Sequence, residues 1–231
     1  MVRQAGIDEQ SGGRADPLTS IRETLESIVP VVLAAGDSTR MGYPKALLPL
    51  GGETFLAHVL GTLRQVGLAR PVVVLGGAAA EIESTIREWS VEILRNPDPG
   101  RGQLSSIQLA LGRLDPGCLG AMIWPVDQPA VSAHLVRRLA ERFLATGAPV
   151  TCPLYGERRG HPAIFHRALF GEFMEAPLEK GPKGIILRHR GTMALVPTGE
   201  AAAVEDVDTP EDYRALTGKD LEAAVAAATG R

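Results

Sequence analysis

Short, wholly apolar runs alternate with amphipathic stretches along most of this chain. Val29-Pro30-Val31-Val32-Leu33 is apolar at every position, the pattern of a strand covered on both faces. Residues 54–67 instead place Phe55, Val59, Leu63 and Val66 at helical spacing. The run at 70–77, RPVVVLGG, predicts a second buried strand, followed by a helix over 78–90 and a short strand over 91–95. A turn-rich segment then introduces a helix over 103–114, and an apolar strand over 119–126 ends at Asp127-Gln128-Pro129. Ser132 caps a helix that continues through Thr146. Strands separated by helices need crossover connections, which are right-handed, so the pattern predicts an α/β domain with a mainly parallel sheet.

Beyond residue 148 the rhythm changes. A strand over 149–154 leads to a polar, basic loop over 155–162, then helical stretches near 168–175 and 183–190 and late strands over 192–197 and 202–207. Asp208-Thr209-Pro210-Glu211-Asp212 starts a further helix, with Asp208 or Thr209 at the N-cap and acids in the first turn. The alanine-rich stretch from Lys219 reads as a tail helix over 218–231. Residues 1–16 are polar and glycine-rich and are expected to be disordered. Asp16-Pro17 starts a short helix with Ile21, Leu25 and Ile28 on one face. Residues 1–29 therefore read as a partly disordered extension and 30–217 as a single domain.

Composition narrows the class. With 231 residues, 45% hydrophobic and 22% charged, the chain suits one α/β domain with appendages. Aromatics make up only 4%, so the core must rest on Val, Leu, Ile and Ala. A net charge of −3 gives no electrostatic reason to expect a nucleic-acid partner. Cys118 and Cys152 sit in or beside apolar runs and read as core thiols in a reducing compartment. No apolar stretch reaches membrane-helix length and the N-terminus has no export signal, so a cytoplasmic protein with no membrane partner is expected. The five histidines show no zinc-like spacing.

Candidate chemistry starts at residues 33–45, LAAGDSTRMGYPK. Here a buried strand runs into a loop in which Gly36 and Gly42 permit tight turns and close approach of a ligand. Backbone N–H groups in such a loop can face anionic oxygens, while Arg40 and Lys45 neutralise phosphate charge. A nucleoside triphosphate is the expected ligand, although the spacing matches neither a P-loop nor a GxGxxG turn. Ligands of open parallel sheets bind outside the carboxyl ends of strands. Gly76-Gly77 and Asp127 occupy such positions too. Asp127, flanked by prolines, suits either a turn or a hard cation such as Mg²⁺. Asp208 suits a helix cap, a second metal ligand, or both, with Asp206 the weaker alternative. Ser105 and Ser106 open a helix with two hydroxyls.

The motif LAAG-x-S-x-RMG-x-PK resembles the opening of the nucleotidyltransferase superfamily. With Ser38 and Pro44-Lys45 it is most similar to the molybdenum cofactor cytidylyltransferase branch of the MobA-like NTP transferases. PVDQP and DVDTPED resemble that family's metal motifs, and G-x-x-S-S-I-x-x-A-L and GRRGHP resemble its nucleoside and acceptor elements. The resemblance implies a three-layer, Rossmann-like domain of the nucleotide-diphospho-sugar transferase type, with helices on both faces. It places the base by Leu33, Ala34 and Ala35, the ribose or base by Ser105 or Ser106, and the metal on Asp127 and Asp208. It puts the acceptor near Gly160, His161 and Lys183, although Pro182 stands where the family usually has an aspartate. The implied reaction is Mg²⁺-dependent transfer of CMP from CTP to a phosphorylated pterin, with Lys45 at the α-phosphate and Arg40 on the leaving pyrophosphate. Alternatives are guanylyl transfer, a sugar-phosphate acceptor, or a non-catalytic factor that delivers the cofactor to a molybdenum enzyme.

Overall fold

The computed structural model describes residues 25–68 and 70–230. In chain order the strands are β1 (Ile28–Ala34), β2 (Pro49–Leu50), β3 (Glu53–Thr54), β4 (Val72–Leu75), β5 (Glu92–Arg95), β6 (Gly120–Pro125), β7 (Val150–Tyr155), β8 (Arg158–Arg159), β9 (Ala163–His166) and β10 (Ala194–Pro197). The α-helices are α1 (Phe55–Val66), α2 (Ala79–Thr85), α3 (Gln103–Leu111), α4 (Ala133–Thr146), α5 (Phe170–Glu175), α6 (Lys183–Arg188), α7 (Pro210–Thr217) and α8 (Leu221–Thr229). The main sheet has the order β10-β7-β9-β6-β1-β4-β5, with β8 folded back on β7. Four of its pairings are parallel, and β9 alone runs against both of its neighbours along that order.

β1 is an interior strand, and its alternation sorts side chains between two cores. Val32 and Ala34 join Val73, Leu75, Met122 and Trp124 on one face. Val31 and Leu33 join Val72, Val74, Ala121 and Ile123 on the other. The first core is closed by α1, α2, α4 and Tyr213 of α7, the second by α3, α5 and Ile185 of α6. The result is three layers with a strand buried on both faces at the centre. Each Leu or Phe fully buried on such a face contributes about 1.5–3 kcal/mol. Phe143 of α4 packs where β6 has Gly120, at which a Cβ would lie 2.7 Å from the ring.

The connections place the site. The chain winds from β1 to β4 and β5 on one side, then returns to β6 on the other. The carboxyl ends of β1, β4 and β6 therefore meet where the winding reverses, the usual ligand position in such sheets.

Several boundaries differ from expectation. The helices expected over 78–90 and 103–114 end at Thr85 and Leu111, the second at Gly112. Residues 202–207 form no strand: a 3-10 turn (Ala201–Ala203) is followed by an irregular segment held by isolated bonds rather than a ladder. β9 hides in a four-residue run after Pro162 that is too short to stand out beside a basic loop. The hairpin of β2 and β3 turns at Gly51-Gly52, both at positive φ. The disorder expected for residues 1–16 and the helix start at Asp16-Pro17 lie outside the described residues. Leu25 and Glu26 are helical and Leu25 is buried, as that helix requires, whereas Ile28 opens β1 instead of lying on the helix face.

Candidate active site

The loop after β1 is shaped by its own backbone. Ser38 adopts φ 50°, and its carbonyl accepts from Met41 N and Gly42 N at 3.0 and 3.1 Å. Its hydroxyl accepts from Lys45 N at 3.1 Å. Gly42 has φ +68°, which a side chain would strain. Met41 is buried and anchors the loop to the core, while Arg40 stays on the surface. Gly76, at the end of β4, lies against this loop: a Cβ there would sit 2.3 Å from Ala35 O. Its role is close packing under the loop, and Gly77 is the neighbour that lines the cavity.

That cavity, about 320 Å³, is lined by Leu33, Ala34, Gly36, Ser38, Arg40, Lys45, Gly77, Asp127 and Asp208, among others. At its floor Lys45 Nζ donates to Asp127 Oδ2 at 3.1 Å and also to Asp208 Oδ1. Arg40 Nη2 donates to Asp208 Oδ2 at 2.6 Å. Residues 168 positions apart thus share one charge cluster. Burial works against the Lys45 ammonium, but the two carboxylates outweigh it and hold its pKa above the usual lysine value. Burial pushes Asp127 up, opposed by Lys45. The Lys45 hydrogen bond, reinforced by Arg40, holds Asp208 below the usual carboxylate range.

The two candidate roles of Asp208 separate cleanly. Thr209 is the N-cap of α7, accepting from Asp212 N, while Asp212 Oδ2 accepts from Thr209 N and Asp208 N. This capping box leaves the Asp208 carboxylate free to face the cavity.

Other expected residues fall elsewhere. Ser105 and Ser106, at the start of α3, both accept from Asn96 Nδ2, at 2.8 and 2.9 Å. Neither lines the cavity around Lys45, and Asn96, unnoticed in the sequence, ties them to the end of β5. Gly160 packs so closely on the segment before Asp208 that a Cβ would lie 1.8 Å from Ala203 O, and His161 N donates to that same carbonyl at 2.8 Å. Desolvation pushes the His161 imidazole down, opposed by Asp206. Lys183 is exposed at the start of the six-residue α6.

The residues present suit a hard divalent cation. Asp127 Oδ1 is buried and has no hydrogen-bond partner among the described residues, a costly state for a carboxylate oxygen. No group of three or more His, Cys, Asp or Glu suited to a metal occurs among the described residues. Two carboxylates beside an anion-binding loop match ions that draw their remaining ligands from phosphate and water.

A mainly parallel sheet thus carries a glycine-bearing, cationic loop and a carboxylate pair at its switch point. Residues 30–193 match the MobA-like NTP transferase domain, and the chain belongs to that family. Over 142 residues it is 33% identical to a Mycobacterium tuberculosis protein named probable molybdenum cofactor guanylyltransferase, covering 60% of this chain and 68% of the relative. The crystal structure of Rv0371c from the same organism aligns with a TM-score of 0.72 at 32% identity, covering 83% of this chain and 97% of that one. A manganese complex of that protein aligns with a TM-score of 0.69 at 30% identity, over 83% and 98% of the two chains. Among the described residues no helix is long and apolar enough to cross a membrane.

Proposed function

We propose that this chain transfers CMP from CTP to the phosphate of a molybdopterin-type acceptor and releases pyrophosphate. The observation that carries the transferase reading is the meeting of Arg40, Lys45, Asp127 and Asp208 in one cavity. An acceptor phosphate oxygen attacks the α-phosphorus, and the bond from that phosphorus to the α,β-bridging oxygen breaks. A phosphate dianion needs no general base, so the protein's work is positioning and charge neutralisation. Lys45 turns from the carboxylates to the α-phosphate, and Arg40 grips the departing pyrophosphate through its fork of donors. Asp127 and Asp208 would hold Mg²⁺ or Mn²⁺, which supplies further charge neutralisation at the phosphates. The manganese complex of the Mycobacterium tuberculosis protein supports a divalent ion.

The choice of cytosine rests on the resemblance of Leu33-Ala34-Ala35-Gly36 to the cytidylyl form of the loop. A second reading, guanylyl transfer, is favoured by the name of the relative. The acceptor is assigned to the region of Gly160, His161 and Lys183, with Ser105 and Ser106 toward the nucleoside. The site is proposed to act within a domain spanning residues 30–217, in the cytoplasm. Pyrophosphate release from CTP, GTP and ATP, with and without molybdopterin, tests both levels. Release that needs molybdopterin and is fastest with CTP is expected. Fastest release with GTP overturns the base, and pterin binding with no release from any triphosphate overturns the transferase.

A further inference from the structure

Asp127 and Asp208 belong to segments that no sheet ladder joins. Asp127 follows β6, whereas Asp208 ends an irregular segment outside the sheet. Two bonds link them directly. Val207 N donates to Asp127 O at 2.8 Å, and Gln128 Nε2 donates to Asp206 Oδ1 at 2.7 Å. The first joins Asp127 itself to the residue before Asp208, and the second joins the residue after Asp127 to Asp206, two positions before Asp208. The Gln128 end is rigid: its N–H donates to Pro125 O at 3.2 Å, and its carbonyl accepts from Nε1 of the fully buried Trp124 at 3.0 Å. Gln128 is itself only 5% exposed. Because Asp206 can only accept, the amide nitrogen must face it, and Gln128 Oε1 is left buried without a partner among the described residues. A purely packing role would be met better by an apolar side chain that buries no unpaired oxygen.

We propose that Gln128 and Asp206 are positioning residues, whose mutual bond sets the spacing of Asp127 and Asp208 for one shared divalent cation. The inference rests on the reading of those two aspartates as metal ligands. Groups that orient metal ligands from behind typically change metal affinity about 10–100-fold when removed.

The test is Mn²⁺ titration of the full chain, reading free Mn²⁺ by electron paramagnetic resonance, with thermal midpoints measured alongside. Gln128→Met keeps the bulk and removes the bond. Gln128→Glu sets two carboxylates against each other. Adding Asp206→Asn to Gln128→Glu restores one donor and one acceptor with the roles exchanged. Both single variants should bind Mn²⁺ about tenfold or more weakly, and the double variant should return to within about threefold of wild type, a pattern that loss of packing alone would not produce. Wild-type affinity in Gln128→Met overturns the proposal, as does a double variant no better than Gln128→Glu. Asp127→Ala separates the two levels. If it binds Mn²⁺ as wild type does, the metal reading itself fails and the proposal falls with it. If Asp127→Ala loses Mn²⁺ but Gln128→Met does not, only the proposal is lost.

Discussion

Asp127 and Asp208 meet the same lysine with nearly equal side-chain exposure, 25% and 26%, yet their protonation shifts in opposite directions. Asp208 has a cation on each oxygen, Lys45 on Oδ1 and Arg40 on Oδ2. Asp127 shares Lys45 through one oxygen and keeps the other buried without a partner. The protein around Asp127 desolvates it more than one lysine compensates. Accessible area alone does not rank two carboxylates; what counts is which oxygens are satisfied. The comparison also separates their tasks. Asp127 keeps one buried oxygen without a partner among the described residues, while Asp208 holds Lys45 and Arg40, the two residues proposed to turn to phosphate.

The largest effect should come from breaking the shared centre. Lys45→Ala or Asp127→Ala should cut pyrophosphate release about a hundredfold or more while leaving the circular dichroism spectrum unchanged. Near-wild-type release from either would remove these residues from the chemistry. Next, Gly160→Ala should act on the Asp208 side alone, because the added methyl collides with Ala203 O. Such overpacking costs about 1–3 kcal/mol in chemical denaturation. An unchanged midpoint would mean that the segment leading to Asp208 shifts freely.

The pH dependence of stability in the metal-free protein should split the pair. Asp127, raised above its ordinary 3.8, favours the protonated folded form. Its contribution at neutral pH is unfavourable and fades as pH falls through its raised pKa toward 3.8. Asp208, lowered below 3.8, contributes stability that is present above that value and is lost as pH falls through its depressed pKa. Asp127→Asn should therefore change the stability profile above pH 3.8 and Asp208→Asn below it; the same window for both would erase the distinction. The smallest effect on folding is expected for Arg40→Ala. Its guanidinium is 67% exposed, so folding stability should fall by less than about 1 kcal/mol. The NMR titration midpoint of Asp208 should nevertheless move up toward the ordinary range.

Much of this was readable in the one-dimensional pattern. Continuous apolar runs marked β1, β4 and β6, and 3.6-residue spacing marked α1, since both patterns follow from which faces must leave water, while the Ser132 cap marked α4. Arg40, Lys45, Asp127 and Asp208 stood out because charged or acidic residues followed buried strands or opened a helix. β9 and the irregular segment before Asp208 were not readable. Three apolar residues and a histidine suit a strand or a helix end equally, and 203–208 is held by bonds to distant residues instead of by its own periodicity. The chain by itself thus determined the layer architecture and the residue types the site offers. Only the tertiary structure decided that Thr209 caps α7 so that Asp208 is free, that Asn96 takes both serines, and that Gln128 reaches Asp206. Local pattern records the burial of faces, whereas bonds between residues as far apart as Gln128 and Asp206 exist only once the sheet has brought their segments together.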